Sequence, residues 1–167
     1  MNNPVLHTWR KRRLLLAFAC LLCTTASLAQ AEEKWKMDTA FPGGTFVEFC
    51  AKSFADKVNF LTEGRVSIRV FQAGILGDAF HVSDTVKAGA AEAGYNASAY
   101  DWGKDKASIL FLGYAGGMDS EQMLHWLYQS DGAELWSKWR EETTGLIAMP
   151  LCVYPTEIFL HSRKPVQ

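Results

Sequence analysis

The strongest constraint on the fold is a change of hydrophobic period between residues 45 and 71. Phe46, Val47, Phe49, Cys50, Phe54, Val58 and Leu61 recur at helical spacing, with Lys52, Asp56 and Lys57 off the stripe. That pattern predicts a helix of about eighteen residues over 45–61. Thr45 and Glu48 stand at capping-box spacing at its start, and Glu63-Gly64 stops it. Residues 65–71 then alternate, with Val66, Ile68 and Val70 on one side, as a half-buried strand does. An alternating segment, Trp35 to Thr39, precedes the helix and is closed by Phe41-Pro42-Gly43-Gly44. Strand, helix and strand in this order predict an α/β layer with parallel pairing.

The rest of the chain continues the alternation. Asp78 is the expected N-cap of a helix through Val86 and Ala88, and residues 93–97 form the next short strand. Asp119-Ser120-Glu121-Gln122 caps a helix carrying Met123, Leu124 and Leu127. Asp131-Gly132 opens another with Leu135, Trp136 and Trp139, which Gly145 ends. Residues 146–153 are apolar enough for a buried strand, which Pro150 places at an edge or a bend, and Ile158-Phe159-Leu160 is a further short strand.

Residues 1–31 read as an address. Arg10, Lys11, Arg12 and Arg13 precede an apolar run over 14–28, and Ala29-Gln30-Ala31 places small residues where a signal peptidase reads. The run falls short of the roughly twenty residues a membrane-spanning helix wants. An uncleaved anchor is the alternative reading. All 18 acidic residues but only 13 of the 17 basic ones lie beyond residue 31, so the body carries a formal charge of −5. That argues against nucleic acid as a partner, since phosphate binding needs clustered Lys and Arg. The body keeps two cysteines, Cys50 and Cys152. They read as two buried thiols acting as small hydrophobes, with a bridge as the alternative in an exported chain.

Catalytic groupings are sparse. His81 and Asp84 stand three apart on a predicted helix and could share one face as an acid/base or metal pair, but no third group is placed beside them. No G-x-S-x-G is present, and Gly74-Ile75-Leu76-Gly77 lacks the Lys of a phosphate loop and the third Gly of a dinucleotide fingerprint. No metal or cofactor is expected. An exported acidic α/β body without catalytic groupings points to a binding protein. The rival from another class is a secreted hydrolase using His81 and Asp84.

Several segments, in order, resemble one family: the extracytoplasmic solute-binding subunits of TRAP transporters, the DctP-type proteins. Trp35-Lys36-Met37 with Phe41-Pro42-Gly43-Gly44 resembles the family's first strand and loop, and Val70-Phe71-Gln72-Ala73-Gly74-Ile75-Leu76 its second strand and turn. Residues 86–94 resemble the stretch entering the next strand. Tyr100-Asp101-Trp102-Gly103-Lys104-Asp105 resembles a segment of the branch that carries 2-oxo and related organic acids. Glu134-Leu135-Trp136 and Ser162-Arg163-Lys164-Pro165-Val166 match later landmarks.

The resemblance implies a periplasmic-binding-protein-like α/β lobe with a mostly parallel sheet, truncated before the second lobe. Residues 1–31 are then a signal peptide, 32–145 the first lobe, and 146–167 the start of the crossing strands. The implied function is periplasmic capture of a small organic acid, a 2-oxo acid or related carboxylate, which is handed to a small and a large membrane subunit. The Arg that clamps the carboxylate in the family belongs to a segment beyond Gln167, so weak binding or none is expected from this chain, with apolar surface left uncovered. Candidate ligand-binding residues are Phe41, at the carboxyl end of the first strand, then Ser98, Tyr100 and Trp102 after the third, and Thr156 and Glu157 on the crossing. Glu157 stands where the organic-acid branch tends to place Gln, and a carboxylate there would repel an anionic ligand unless it is protonated or bridged by a cation.

Overall fold

The computed structural model describes residues 31–114, 116–154 and 163–164. The chain separates into an N-terminal unit, Met1–Glu32, and a body, Glu33–Gln167, and every described strand and helix lies in the body.

Three strands, β1 (Glu33–Thr39), β2 (Val66–Phe71) and β3 (Ala93–Tyr95), form a sheet of order β2-β1-β3. Both pairings are parallel, with Trp35 opposite Ile68, and Met37 opposite both Val70 and Ala93. The expected α/β class with a parallel sheet is therefore present. Being central, β1 is buried on both faces toward its carboxyl end, at Met37, Asp38 and Thr39.

One face of the sheet packs on the predicted long helix. Met37, Cys50, Ala51 and Tyr95 form its buried centre, and Phe41, Phe54, Ile68, Val70, Ala93, Leu151, Cys152 and Tyr154 pack around it. The helix is continuous over 45–61, but its first turns, Phe46–Lys52, are π-helical and only Ser53–Leu61 (α1) is α-helical. The wider winding changes which side chains face inward. Val47, Cys50 and Ala51 are buried, whereas Phe49, placed on the apolar stripe by α-helical spacing, is 76% exposed. Nor is there a capping box. Thr45 is already helical (φ −52°, ψ −43°), so its hydroxyl cannot reach forward, and Glu48 pairs with Lys52 at 2.7 Å instead.

The opposite face packs on α2 (Val82–Lys87). The helix starts later than expected because Asp78 closes a local turn, accepting from the Phe80 amide at 2.8 Å, and His81 becomes the residue before the helix. Close approach of helix and sheet depends on Gly94, opposite Asp38. A Cβ there would lie 2.7 Å from Val82 and 2.9 Å from Val86, two β-branched side chains with little rotamer freedom. Gly94→Ala is expected to destabilise the body by about 1–3 kcal/mol, read as a lower urea midpoint at unchanged slope.

Two short 3-10 turns, Ser98–Asp101 and Lys106–Phe111, lead to α3 (Ser120–Gln129) and α4 (Gly132–Thr144). Asp119 and Gln122 form the capping box of α3, and Gly145 (φ 71°) ends α4 in the left-handed conformation, both as the sequence predicts. Phe111 stacks on Trp139 (4.6 Å between centroids) and Trp136 (6.0 Å), so these tryptophans are core material. Leu135, expected on the apolar face, is 53% exposed, while Arg140 is buried.

Residues 146–153 are not a strand. They are irregular and pair with no edge of the sheet, and Ile147 is 86% exposed. A disulfide between Cys50 and Cys152 joins this segment to the long helix, so the reading of two free thiols is corrected; the Cα atoms are 5.9 Å apart across 102 residues of sequence. Residues 158–160 lie outside the described residues.

Candidate ligand-binding site

The carboxyl ends of β1 and β3 carry the chemistry. Just past β1, the Ala40 amide donates to the Tyr95 carbonyl (2.9 Å), and the Phe41 carbonyl accepts from the Ala73 amide (3.0 Å) and the Thr39 hydroxyl (3.0 Å). The backbone at Phe41 is thus tied to both neighbouring strand ends. Its ring becomes the hub of an aromatic cluster, 5.0 Å from Tyr95, 5.6 Å from Phe46, 5.9 Å from Tyr154 and 6.5 Å from Tyr100. Phe46 meets Tyr154 edge-on at 4.5 Å, and Phe80 meets Tyr100 at 4.9 Å. These separations fit edge-to-face and offset arrangements.

The cluster grades from floor to mouth. Tyr95 is 5% exposed, Phe41 and Tyr100 are half-buried, and Phe80 and Trp102 are 60% and 47% exposed. The Tyr95 and Tyr154 hydroxyls are 2.7 Å apart. Burial pushes the Tyr95 phenol above its ordinary value, and the hydrogen bond with Tyr154 offsets only part of this. Tyr95 is therefore a neutral hydroxyl at physiological pH. Of the candidates named from sequence, Phe41 and Tyr100 share the cluster. Trp102 follows on the same turn, and Ser98 is buried at the turn's start. Thr156 and Glu157 lie outside the described residues. The sequence reading overlooked Phe46, Phe80, Tyr95 and Tyr154. Tyr95 had a usable signal, as the last inward position of the third strand.

The 3-10 turn bearing Tyr100 is held from behind. Asp101, 2% exposed, accepts from Arg140 Nη1 (2.6 Å), Ser83 Oγ (2.9 Å) and Lys104 Nζ (3.0 Å), and Arg140 Nη2 donates to Ser83 (3.0 Å). Burial pushes the Asp101 carboxyl up, but the hydrogen bonds from Arg140 and Lys104, the Arg140 charge and Ser83 outweigh it, and the net shift is downward. Asp105 caps the next turn by accepting from the Ala107 amide (2.9 Å) and also takes the Trp139 indole N–H (2.8 Å). The charged residues of the Tyr100–Asp105 segment thus anchor it to α2 and α4. A cleft of about 180 Å³ lies beside this network, lined in part by Lys104, Trp139 and Arg140. Its two cations are paired with Asp84 and Asp101, so the cleft offers no uncommitted cation.

His81 and Asp84 do not form a reactive pair. Their side chains are 3.9 Å apart, more than half exposed, and Asp84 is taken by Lys104 at 2.8 Å. Among the described residues no group of three or more His, Cys, Asp or Glu could hold a metal ion, and no helix is long and apolar enough to cross a membrane.

Asp38 is a different case. It is 1% exposed in the central strand, and neither carboxylate oxygen makes a hydrogen bond among the described residues. Burial raises its pKa, partly offset by the neighbouring Thr85 hydroxyl and Thr39 amide. A raised folded pKa gives stability at low pH that is lost as pH rises through it. Asp38→Asn is therefore expected to flatten the decline in stability between about pH 4 and pH 7, measured as urea midpoints across that range. An unchanged decline would show that Asp38 ionises freely.

Residues 39–155 match the family described as bacterial extracellular solute-binding protein, family 7 (DctP). A monocarboxylate 2-oxoacid-binding periplasmic protein of Nostoc sp. is 32% identical over 137 residues, covering 73% of this chain and 37% of the relative. A TRAP periplasmic solute-binding protein of Pseudoalteromonas atlantica, solved with sodium and pyruvate, superposes with a TM-score of 0.62 at 26% identity, covering 67% of this chain and 34% of that one. The corresponding protein of Colwellia psychrerythraea, solved with calcium and pyruvate, gives the same four values. This chain spans little more than a third of the length of these relatives.

Proposed function

The chain belongs to bacterial extracellular solute-binding protein family 7, the DctP family, and from that premise we propose that it is a solute-capture lobe for a TRAP-type secondary transporter. The solute class is a small monocarboxylate such as a 2-oxo acid. The observation that carries this reading is the aromatic cluster at the carboxyl end of a parallel sheet, where open α/β sheets take ligands. Phe41 and Tyr100 wall the site and Trp102 stands at its mouth. A 2-oxo acid has an apolar tail and a planar polar head, which suits aromatic walls with phenol donors.

In this reading the chain acts without catalysis. Residues 1–31 direct export to the periplasm, and the partners are the small and large membrane subunits. Arg140 and Lys104 are not the charge that fixes the carboxylate, because they are already bound to Asp101 and Asp84. Two of the solved relatives contain both a bound cation and pyruvate. The described residues of this chain offer no carboxylate cluster for one, and no step here depends on it.

Tryptophan fluorescence tests the reading. Pyruvate and picolinate, at millimolar concentration, are expected to change the emission of Trp102 saturably, with Trp102→Phe removing the change and glycerol giving none. Equal responses to glycerol and pyruvate would contradict a carboxylate site. With Arg140 and Lys104 committed elsewhere, affinity should be weak, a Kd of about 1 mM corresponding to roughly −4 kcal/mol.

A further inference from the structure

We propose that the Cys50–Cys152 bridge is a redox-sensitive clasp that positions Tyr154 in the aromatic site. Among the described residues, few backbone contacts tie the stretch 147–150 to the body. It forms no strand, Ile147 and Met149 are 86% and 63% exposed, and among the described residues no backbone–backbone hydrogen bond ties 147–153 to the sheet. At its far end, however, Leu151, Cys152 and Tyr154 lie on the core, with the Tyr154 ring against Phe41 and Phe46 and its hydroxyl on Tyr95. Side-chain bonds from Ser120 to the Tyr154 carbonyl (3.0 Å) and from Tyr128 to the Pro150 carbonyl (3.5 Å) add surface contacts. The covalent link two residues before Tyr154 is what turns these contacts into a fixed wall.

The bridge is asymmetric in access, since Cys50 is 8% exposed on the helix and Cys152 is half-buried on the segment. A dithiol reductant therefore reaches Cys152 Sγ first. Its thiolate attacks that sulfur, the S–S bond breaks, and Cys50 leaves as a thiolate that takes up a proton. The reductant's second thiol then closes its own disulfide and releases Cys152, which takes up the second proton. The protein gains two electrons and two protons, and the dithiol becomes a disulfide. Reduced, the segment lifts and Tyr154 leaves Tyr95, uncovering the floor at Phe41 and Tyr95. That this gates ligand capture rests on the function proposed above; the clasp itself does not.

The test needs no ligand. Hydroxyl-radical labelling of side chains is followed by mass spectrometry on the full chain, oxidised and after dithiothreitol, with the state of Cys50 and Cys152 checked by alkylation. Reduction is expected to raise labelling of the Leu151 and Tyr154 side chains about threefold or more beyond any change at β1 and α1, reversibly on reoxidation. No change at 151–154, or loss of protection there in step with β1, would overturn the clasp, the second by making the bridge a general staple. Tyr154→Phe in the oxidised chain is expected to leave the segment docked; its release would assign docking to the hydroxyl pair and overturn the proposal equally. A chain that passes these tests yet ignores pyruvate keeps the clasp and loses the carboxylate reading.

Discussion

Arg140→Met is expected to destabilise the body by roughly 3–5 kcal/mol, the range for removing one partner of a buried ion pair. The reason is what it leaves behind. Asp101 is 2% exposed, and Arg140 supplies its shortest hydrogen bond, at 2.6 Å. Without the guanidinium, Lys104, Ser83 and a longer bond from Asn96 (3.5 Å) must satisfy a desolvated carboxylate. The double change Arg140→Met with Asp101→Leu should recover part of the loss, because it removes the uncompensated charge as well as the bond. Urea unfolding of the three variants measures this. A single-variant loss below about 1 kcal/mol would place the pair among weakly coupled surface bridges. The pair also sets an acid limit. With the Asp101 pKa lowered in the fold, its stabilisation is complete above the ordinary carboxylate range and is lost as pH falls through the depressed value.

Phe41→Ala is expected to be the second large effect, about 2–4 kcal/mol, below the range for a fully buried Phe because the ring is half-buried. Four other rings lie within 6.5 Å of it, and its removal leaves Tyr95, Phe46 and Tyr154 without a common partner. Phe41→Leu keeps most of the volume and should cost less than half as much. The difference between the variants separates aromatic geometry from filled space. The same substitution should abolish the pyruvate response at Trp102 even where the chain still folds. A Phe41→Ala chain with native stability would show that the cluster is a surface adornment of the sheet.

Much of the fold was legible because period-2 and period-3.6 patterns change abruptly along the chain. The strands at 33–39 and 66–71 and the helices at 120–129 and 132–144 follow from local spacing and caps that tertiary contacts did not override. Local reasoning failed where a long-range partner decided the outcome. Residues 146–153 have the composition of a strand but pair with no edge of the sheet, and they run as irregular chain bridged to the long helix at Cys152. Asp78 has the chemistry of a helix cap, yet its oxygen is taken by the Phe80 amide one turn early.

The site was half legible for the same reason. Phe41 and Tyr100 stood out because they follow strands, but the partners that complete the cluster come from 46, 80, 95 and 154, positions that only topology brings together. Arg140 carried a readable signal, since it lies four residues from Trp136 and from Thr144 on one side of α4, where a buried cation demands an acid. The identity of that acid, 39 residues away, was not readable.

Residue-resolved NMR of this chain titrated with pyruvate tests the central claim most directly. The account predicts saturable shifts confined to Phe41, Tyr95, Tyr100 and Trp102 at the carboxyl ends of β1 and β3. Shifts centred on the exposed faces of α3 and α4 with none at the aromatic cluster would contradict it.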